Sequence, residues 1–139
     1  MIVVDTNVLS AIMRPQRETA VVVWFDAQQE ADLFLTAVTV FEVRAGLLRL
    51  PDGARRHDLE ARLSILFTDL FRGRILPFDT AAAEATTALA ERRRRDGHVV
   101  DVHDGFIAGV AIAHGASIAT RNTRHFADCG VPVIDPWEV

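Results

Sequence analysis

Apolar residues along this chain come in short runs broken by polar clusters, and their spacing predicts alternating strands and helices. Ile2-Val3-Val4 is β-branched and runs straight into Asp5-Thr6-Asn7, residue types that end strands and cap helices. That junction predicts a buried first strand closed by a polar turn. Val21–Gln29 is patterned as a helix, and Leu33-Phe34-Leu35 as a second short strand. Thr36 or Thr39 then caps a helix through Leu50, which Pro51-Asp52-Gly53 stops. Arg55–Phe71 continues as an amphipathic helix, with Leu59, Leu63, Leu66 and Leu70 near helical spacing and Phe67 and Phe71 beside them. Arg74–Phe78 reads as a third strand. Asp79 or Thr80 caps an alanine-rich helix that ends in the charged tail Glu91–Asp96 and stops at Gly97. Val102–His114 is a further helix ended by Gly115, and Ser117–Thr120 and Val131–Ile134 are the last two strands.

Strands alternating with helices predict an α/β fold, a single domain over residues 1–139 around a mostly parallel sheet covered on both faces. In such sheets ligands sit beyond the carboxyl ends of the strands, at the topological switch point. Asp5-Thr6-Asn7 and Thr120-Arg121-Asn122 both fall at predicted strand ends, so chemistry is expected there.

Composition narrows the classes further. With 139 residues, 50% of them hydrophobic, the chain has enough apolar material for a core without metal or disulfide staples, and it is not disordered. The longest apolar stretch, Phe106–Ala113, is far short of the ~20 residues a bilayer requires. The start has no basic region before Asp5, so a cytoplasmic, soluble protein with no membrane association is expected. The single cysteine, Cys129, has no internal disulfide partner and no evident base, and reads as a free thiol. The net charge of −4 gives no general nucleic-acid footprint, although all 15 basic residues are arginine. The run Arg92–Arg95 reads as a solvated helix end matched to the helix dipole.

Several acids do not sit like surface acids. Asp5 follows three apolar residues, and is either a helix N-cap or a ligand at a strand end. Glu42 lies on a helix that is apolar almost all round, a pattern usually buried. At about 100° per residue it shares a face with Thr39, Ala45, Gly46 and Arg49, which leaves room for a ligand, or it is a solvated glutamate. Asp101 and Asp104 open the helix that continues as Phe106–Ala113. They read as a cap and its first-turn partner, or as two acids on one face. If such carboxylates converge, each pair 4 Å apart repels by about 4 kcal/mol at an effective dielectric of 20, so the cluster binds a cation or takes up protons. All-oxygen ligation suits Mg²⁺ or Mn²⁺ rather than zinc. No phosphate-cradling glycine loop, lysine-bearing nucleotide motif or serine-nucleophile elbow is present.

Taken in order, these pieces resemble the PIN-domain ribonucleases, and among them the VapC-like toxins of the FitB-like branch. The matching stretches are Ile2–Leu9, Thr39–Leu47, Pro77-Phe78-Asp79, Asp104–Gly109 and Ala119–Phe126. The resemblance implies a three-layer α/β/α sandwich. It carries the family's metal-binding catalytic acids onto Asp5, Glu42 and Asp104, with Asn122 as a fourth, neutral metal-site position. Thr6 and Thr120 match positions that support the site by hydrogen bonding, and His125 stands where relatives often carry an acid. Asp101 stays outside the pattern, as a helix cap. The implied activity is that of a Mg²⁺-dependent endoribonuclease, the toxin of a type II toxin–antitoxin pair, with Mn²⁺ able to substitute. Also implied are a homodimer and a small inhibitory antitoxin through which alone operator DNA is bound. The Leu59–Leu70 stripe, otherwise core, offers a groove for an antitoxin helix.

Because acids repel RNA, arginines must grip its phosphates, and Arg44, Arg121 and Arg124 are nearest in sequence to the site. Two rival readings remain. One is a phosphatase with an aspartyl nucleophile at Asp5, which lacks the second Asp (Asn7 stands there) and any lysine. The other is a non-enzymatic, degenerate PIN-like or receiver-like module that works only by binding a partner.

Overall fold

In the computed structural model, which describes residues 1–139, five strands and seven helices alternate along the chain. The strands are β1 (Ile2–Val4), β2 (Leu33–Thr36), β3 (Ile75–Leu76), β4 (Ser117–Ala119) and β5 (Val133–Ile134). The helices are α1 (Thr6–Met13), α2 (Thr19–Asp26), α3 (Ala37–Leu48), α4 (Ala54–Ile65), α5 (Thr80–Arg95), α6 (Val102–His114) and α7 (Thr123–Phe126). The sheet runs β3-β2-β1-β4-β5 and every pairing is parallel, so the expected mostly parallel sheet is wholly so.

Side-chain alternation along β1 and β4 divides the core into two layers. Val4 and Ala119 pack with Leu9 of α1, Trp24 of α2, Val43 and Leu47 of α3, and Leu63 of α4. Val3 and Ile118 face the other way, onto Leu89 of α5, Ile107 and Ala111 of α6, and Phe126 of α7. A sheet covered on both faces is the three-layer α/β/α sandwich. Helices α5 and α6 cross closely at Gly109, where an added Cβ would collide with Thr86 Oγ1 and stand 2.7 Å from the Ala82 carbonyl.

Several boundaries differ from the sequence pattern, each for a local reason. The first helix, α1, follows Asp5 immediately, because the Asp5 carboxylate accepts the Thr6 N–H at 2.7 Å and nucleates it. Thr36 rather than Thr39 caps α3, accepting the Thr39 N–H at 3.0 Å. The Arg55–Phe71 helix changes character after Ile65, where one π turn (Leu66–Leu70) brings Phe67 and Phe71 inward. Helix α3 is not buried as its composition suggested. Only Thr39, Val43 and Leu47 are enclosed, while Phe41 and Leu48 are 58% and 64% exposed. The four-arginine run is likewise not a uniformly solvated end. Arg93 is buried, with both Nε and Nη2 donating to the Asp128 carboxylate at 2.9 and 2.8 Å and Nη2 also to the His125 carbonyl at 2.7 Å. No helix is long and apolar enough to cross a membrane.

Candidate active site

The chain lays β1, β2 and β3 outward in one direction and then returns to set β4 on the other side of β1. The switch point therefore lies at the carboxyl ends of β1 and β4, where Asp5 and Thr120 are neighbours. The Asp5 N–H donates to the Ala119 carbonyl at 2.9 Å, and the Thr120 hydroxyl donates to Asp5 Oδ2 at 2.7 Å. Both residues are buried. Helix α3, launched from the end of β2, brings Glu42 to the same edge from its second turn. Helix α6 brings Asp104 from its first. Asp5, Glu42, Asp104 and Asn122 thus line one cleft of about 320 Å³, together with Thr6, Asn7 and Arg121.

The two readings of Asp5 turn out to be compatible. One oxygen, Oδ1, caps α1; the other, Oδ2, takes the Thr120 hydroxyl and the Asn7 amide at 3.1 Å. Asn7 also donates to Thr120 Oγ1 at 3.2 Å, so three side chains from two strand ends form one closed network. No cationic side chain pairs with Asp5. Burial, reinforced by the nearby charges of Asp104 and Glu42, overrides these hydrogen bonds and pushes its carboxyl up to about 6. Burial of the carboxylate, with a smaller part from the other acids, is therefore expressed as proton uptake when no metal is present.

The other two acids have histidine neighbours. Glu42 accepts the Thr6 hydroxyl at 2.8 Å and stands 3.6 Å from His103 Nδ1. Asp104 Oδ2 is 2.6 Å from His125 Nδ1. Asp101 caps α6 by accepting the His103 and Asp104 N–H groups, which turns the Asp104 side chain free of the capping role. Asn122 lies at the N-terminus of α7 and is placed by its own N–H, which donates to Thr120 Oγ1 at 3.0 Å.

The donor set suits a hard divalent cation: three carboxylates and an amide, with no thiolate and no imidazole free of an acid. As the side chains lie, no three His, Cys, Asp or Glu residues are gathered tightly enough to ligate one ion directly. Mg²⁺ ordinarily keeps several of its waters and needs only one or two carboxylates, so the arrangement matches its preferences.

The arginines chosen by proximity in sequence divide. Arg121 lines the cleft, with its guanidinium 5.1 Å over the Trp137 ring. Arg44 does not line it, because the helical rotation from Glu42 carries Arg44 round to stack 5.3 Å over Phe67. Arg124 is exposed on α7 and lies outside the cleft lining. Cys129 is buried beneath the Arg93 pair, with its thiol pushed up to about 11 by desolvation, and is no nucleophile. Sequence reasoning missed His103 and the far wall of Arg14, Glu18 and Trp137. His103 carried a findable signal, one residue before Asp104. Trp137 carried none, since its neighbours are brought to it only by the fold.

Comparison with known proteins gives a consistent picture. A family model described as PIN domain matches residues 2–131. The chain is 41% identical over 138 residues to the VapC ribonuclease Y4jK of Sinorhizobium fredii, covering 99% of each chain. It is 39% identical over 137 residues to the toxin FitB of Neisseria gonorrhoeae, again covering 99% of each. The crystal structure of FitAcB from Neisseria gonorrhoeae superposes with a TM-score of 0.93 at 38% identity, over 100% of both chains.

Proposed function

The chain belongs to the PIN-domain family, and from that premise we propose that it is a Mg²⁺-dependent endoribonuclease, the toxin of a type II toxin–antitoxin pair. The observation that carries the reading is the buried, cation-free Asp5, whose carboxyl is lifted by burial and by the two other acids of the same cleft. A site that strains its own charge in this way is suited to a cation and a polyanionic substrate.

Asp5, Glu42 and Asp104 would hold the ion, in part through its retained waters, with Asn122 as a neutral fourth position; Mn²⁺ would substitute. Bound there, the ion supplies charge neutralisation at the phosphodiester oxygens and lowers the pKa of an attacking water. The remaining work belongs to the chain. Thr120 and Asn7 fix the Asp5 carboxylate, and Thr6 fixes Glu42, so neither must be ordered when substrate arrives. His125 and His103 stand against Asp104 and Glu42, where they help to orient the two carboxylates.

Partners follow from the relatives and from exposed apolar surface. A groove of about 380 Å³ between α1, α2 and the α4–π segment, lined by Ile12, Val22, Phe25, Ile65 and Leu66, is rimmed by Arg17, Asp26 and Arg62. It suits an amphipathic antitoxin helix, through which operator DNA would be reached. Phe41, Val102 and Phe78 form an exposed apolar patch around His103 and Phe106, suited to a second copy of the chain. The proposed setting is the cytoplasm.

The test combines Mg²⁺ titration calorimetry with cleavage of single-stranded RNA by the purified toxin. Mg²⁺ binding and RNA cleavage, both lost in Asp5→Asn and Asp104→Asn variants that still fold, are expected. Folded variants that bind and cut like the parent, or a covalent phosphoenzyme formed at Asp5, would overturn the reading.

A further inference from the structure

One wall of the cleft is built from residues that no metal chemistry requires. Arg121 follows Thr120 at the end of β4, and its N–H donates to Asn7 Oδ1 at 3.2 Å, which ties its backbone to the network around Asp5. Its side chain crosses to the C-terminal segment, where the guanidinium lies over the Trp137 ring rather than against a carboxylate. Trp137 is itself fixed at two points. Its backbone N–H donates to Asp135 Oδ1 at 2.9 Å, and its indole N–H donates to Glu18 Oε2. Glu18, at the start of α2, lies 3.6 Å from Arg14 Nη1. Arg14, Glu18, Arg121 and Trp137 all line the same cleft as the three acids.

An arginine on a flexible stem loses rotamer freedom whenever it grips a ligand, and a stacked guanidinium has lost part of it beforehand. A contact with the ring leaves the guanidinium unpaired with any carboxylate, so its N–H groups stay available to a phosphate. The acids would otherwise attract Arg121 into the cleft, where it would occupy the metal's place; the indole holds it back at the wall. Pinning the indole to Glu18 matters for the same reason, because a rotating platform would aim nothing.

We propose that Trp137, pinned by Glu18, is a positioning residue that holds the Arg121 guanidinium over its ring at the mouth of the acidic cleft, so that Arg121 grips a backbone phosphate of the RNA strand. The proposal rests on the ribonuclease reading above and adds to it a specific phosphate clamp and the device that aims it. Arg121 touches substrate; Trp137 acts through Arg121.

The experiment measures KM and kcat for a short single-stranded RNA in Mg²⁺, with binding followed in parallel by anisotropy of a labelled strand immediately after mixing. Both are repeated across a salt series for Arg121→Ala, Trp137→Ala, Trp137→Phe and the Arg121→Ala/Trp137→Ala double variant. Arg121→Ala is expected to raise KM about tenfold, the loss of one charge-assisted contact, with kcat within about threefold. It should also lower the slope of log affinity against log salt by about 0.7, one phosphate on a single strand. Trp137→Ala should reproduce part of both changes, Trp137→Phe should restore most of the loss, and the double variant should be no worse than Arg121→Ala alone. Mg²⁺ affinity should fall in Trp137→Ala, where the released Arg121 can enter the cleft, and should recover in the double variant.

Additive effects in the double variant, or a Trp137→Ala salt slope equal to the parent's, would overturn the positioning role. If Trp137→Ala fails to fold, Arg121→Lys decides without touching the indole. Lysine keeps the charge but not the planar, forked guanidinium, so KM should rise with the salt slope preserved, and a parental KM would overturn the proposal. A parent that binds RNA with this dependence but cuts nothing removes the nuclease reading and keeps the clamp. A parent that cuts RNA with a KM indifferent to Arg121 and Trp137 does the reverse, and one that neither binds nor cuts removes both.

Discussion

Charge goes inside this molecule in two places, and the two are built on opposite principles. At the end of α5, Arg93 is enclosed but answered. Asp128 meets it with two oxygens, the His125 carbonyl takes a further N–H, and the pair holds the Asp128 carboxyl below its ordinary range. At the end of β1, Asp5 is enclosed and answered only by neutral donors, while two more acids face the same cleft. One buried charge holds α5 to the α7 segment. The other is left short of a cation, and its carboxyl rises to about 6. Burial alone therefore says nothing about function; the sign of the shift distinguishes the structural pair from the site.

The strongest way to break this contrast is through activity. Asp5→Asn and Asp104→Asn are each expected to lower Mg²⁺-dependent RNA cleavage by about a thousandfold, measured as single-turnover rates, since each would remove a charge from the proposed metal site. Arg93→Met should leave the metal ligands in place and instead destabilise the fold by about 2 kcal/mol in denaturant titrations. The loss is that of charged hydrogen bonds, discounted because Asp128 keeps 36% of its side chain in solvent. Thr120→Val deletes the hydroxyl that donates to Asp5 Oδ2, and cleavage should fall about tenfold with Mg²⁺ affinity weakened in parallel.

Stability against pH sharpens the same comparison with smaller effects. Raising a buried carboxyl from 3.8 to about 6, at about 1.4 kcal/mol per pH unit, corresponds to about 3 kcal/mol by which ionised Asp5 disfavours the metal-free fold. The native state binds this proton more tightly than the unfolded chain. Its contribution is therefore full below pH 3.8 and is lost as pH rises through about 6. Asp5→Asn should accordingly stabilise the metal-free protein by about 1–2 kcal/mol at pH 7, after allowance for poorer hydrogen bonding, and the gain should shrink toward pH 4. Asp128 has the opposite sign. Its lowered carboxyl contributes stability above its ordinary range, which Asp128→Asn would forfeit at neutral pH and not in acid. Chemical denaturation in EDTA from about pH 2 to 8 reads both slopes, that of Asp128 at the acid end; parallel slopes would contradict the contrast.

Legibility in the sequence followed how local the cause was. Strand β1 and its cluster Asp5-Thr6-Asn7 were readable because a β-branched run meeting capping residues is a nearest-neighbour pattern. The cap at Asp101 and the stop at Gly115, which adopts φ 60°, were readable for the same reason. Helix α3 was misread because its composition is apolar on every side, and composition does not say which faces will be covered. Arg93 was misread because it sits among three other arginines of identical local pattern, and only the approach of Asp128 from across the fold separates it from them. The same holds for Arg44, whose direction depends on helical rotation and on Phe67.

By itself the sequence determined the alternation of strands and helices, the class of sheet they build, and, through the order of its motifs, the family. It also determined which acids were unusual, because an acid beside an apolar run costs free energy unless something compensates it. Only the tertiary structure decided that those acids meet. Parallel strands align their carboxyl ends, and the reversal of strand order between β1 and β4 opens a gap there. Side chains 37 and 62 residues apart in sequence, Asp5 to Glu42 and Glu42 to Asp104, are thereby brought to one cleft. Which arginine faces that cleft, and which aromatic ring holds it, are long-range packing outcomes that no local pattern encodes.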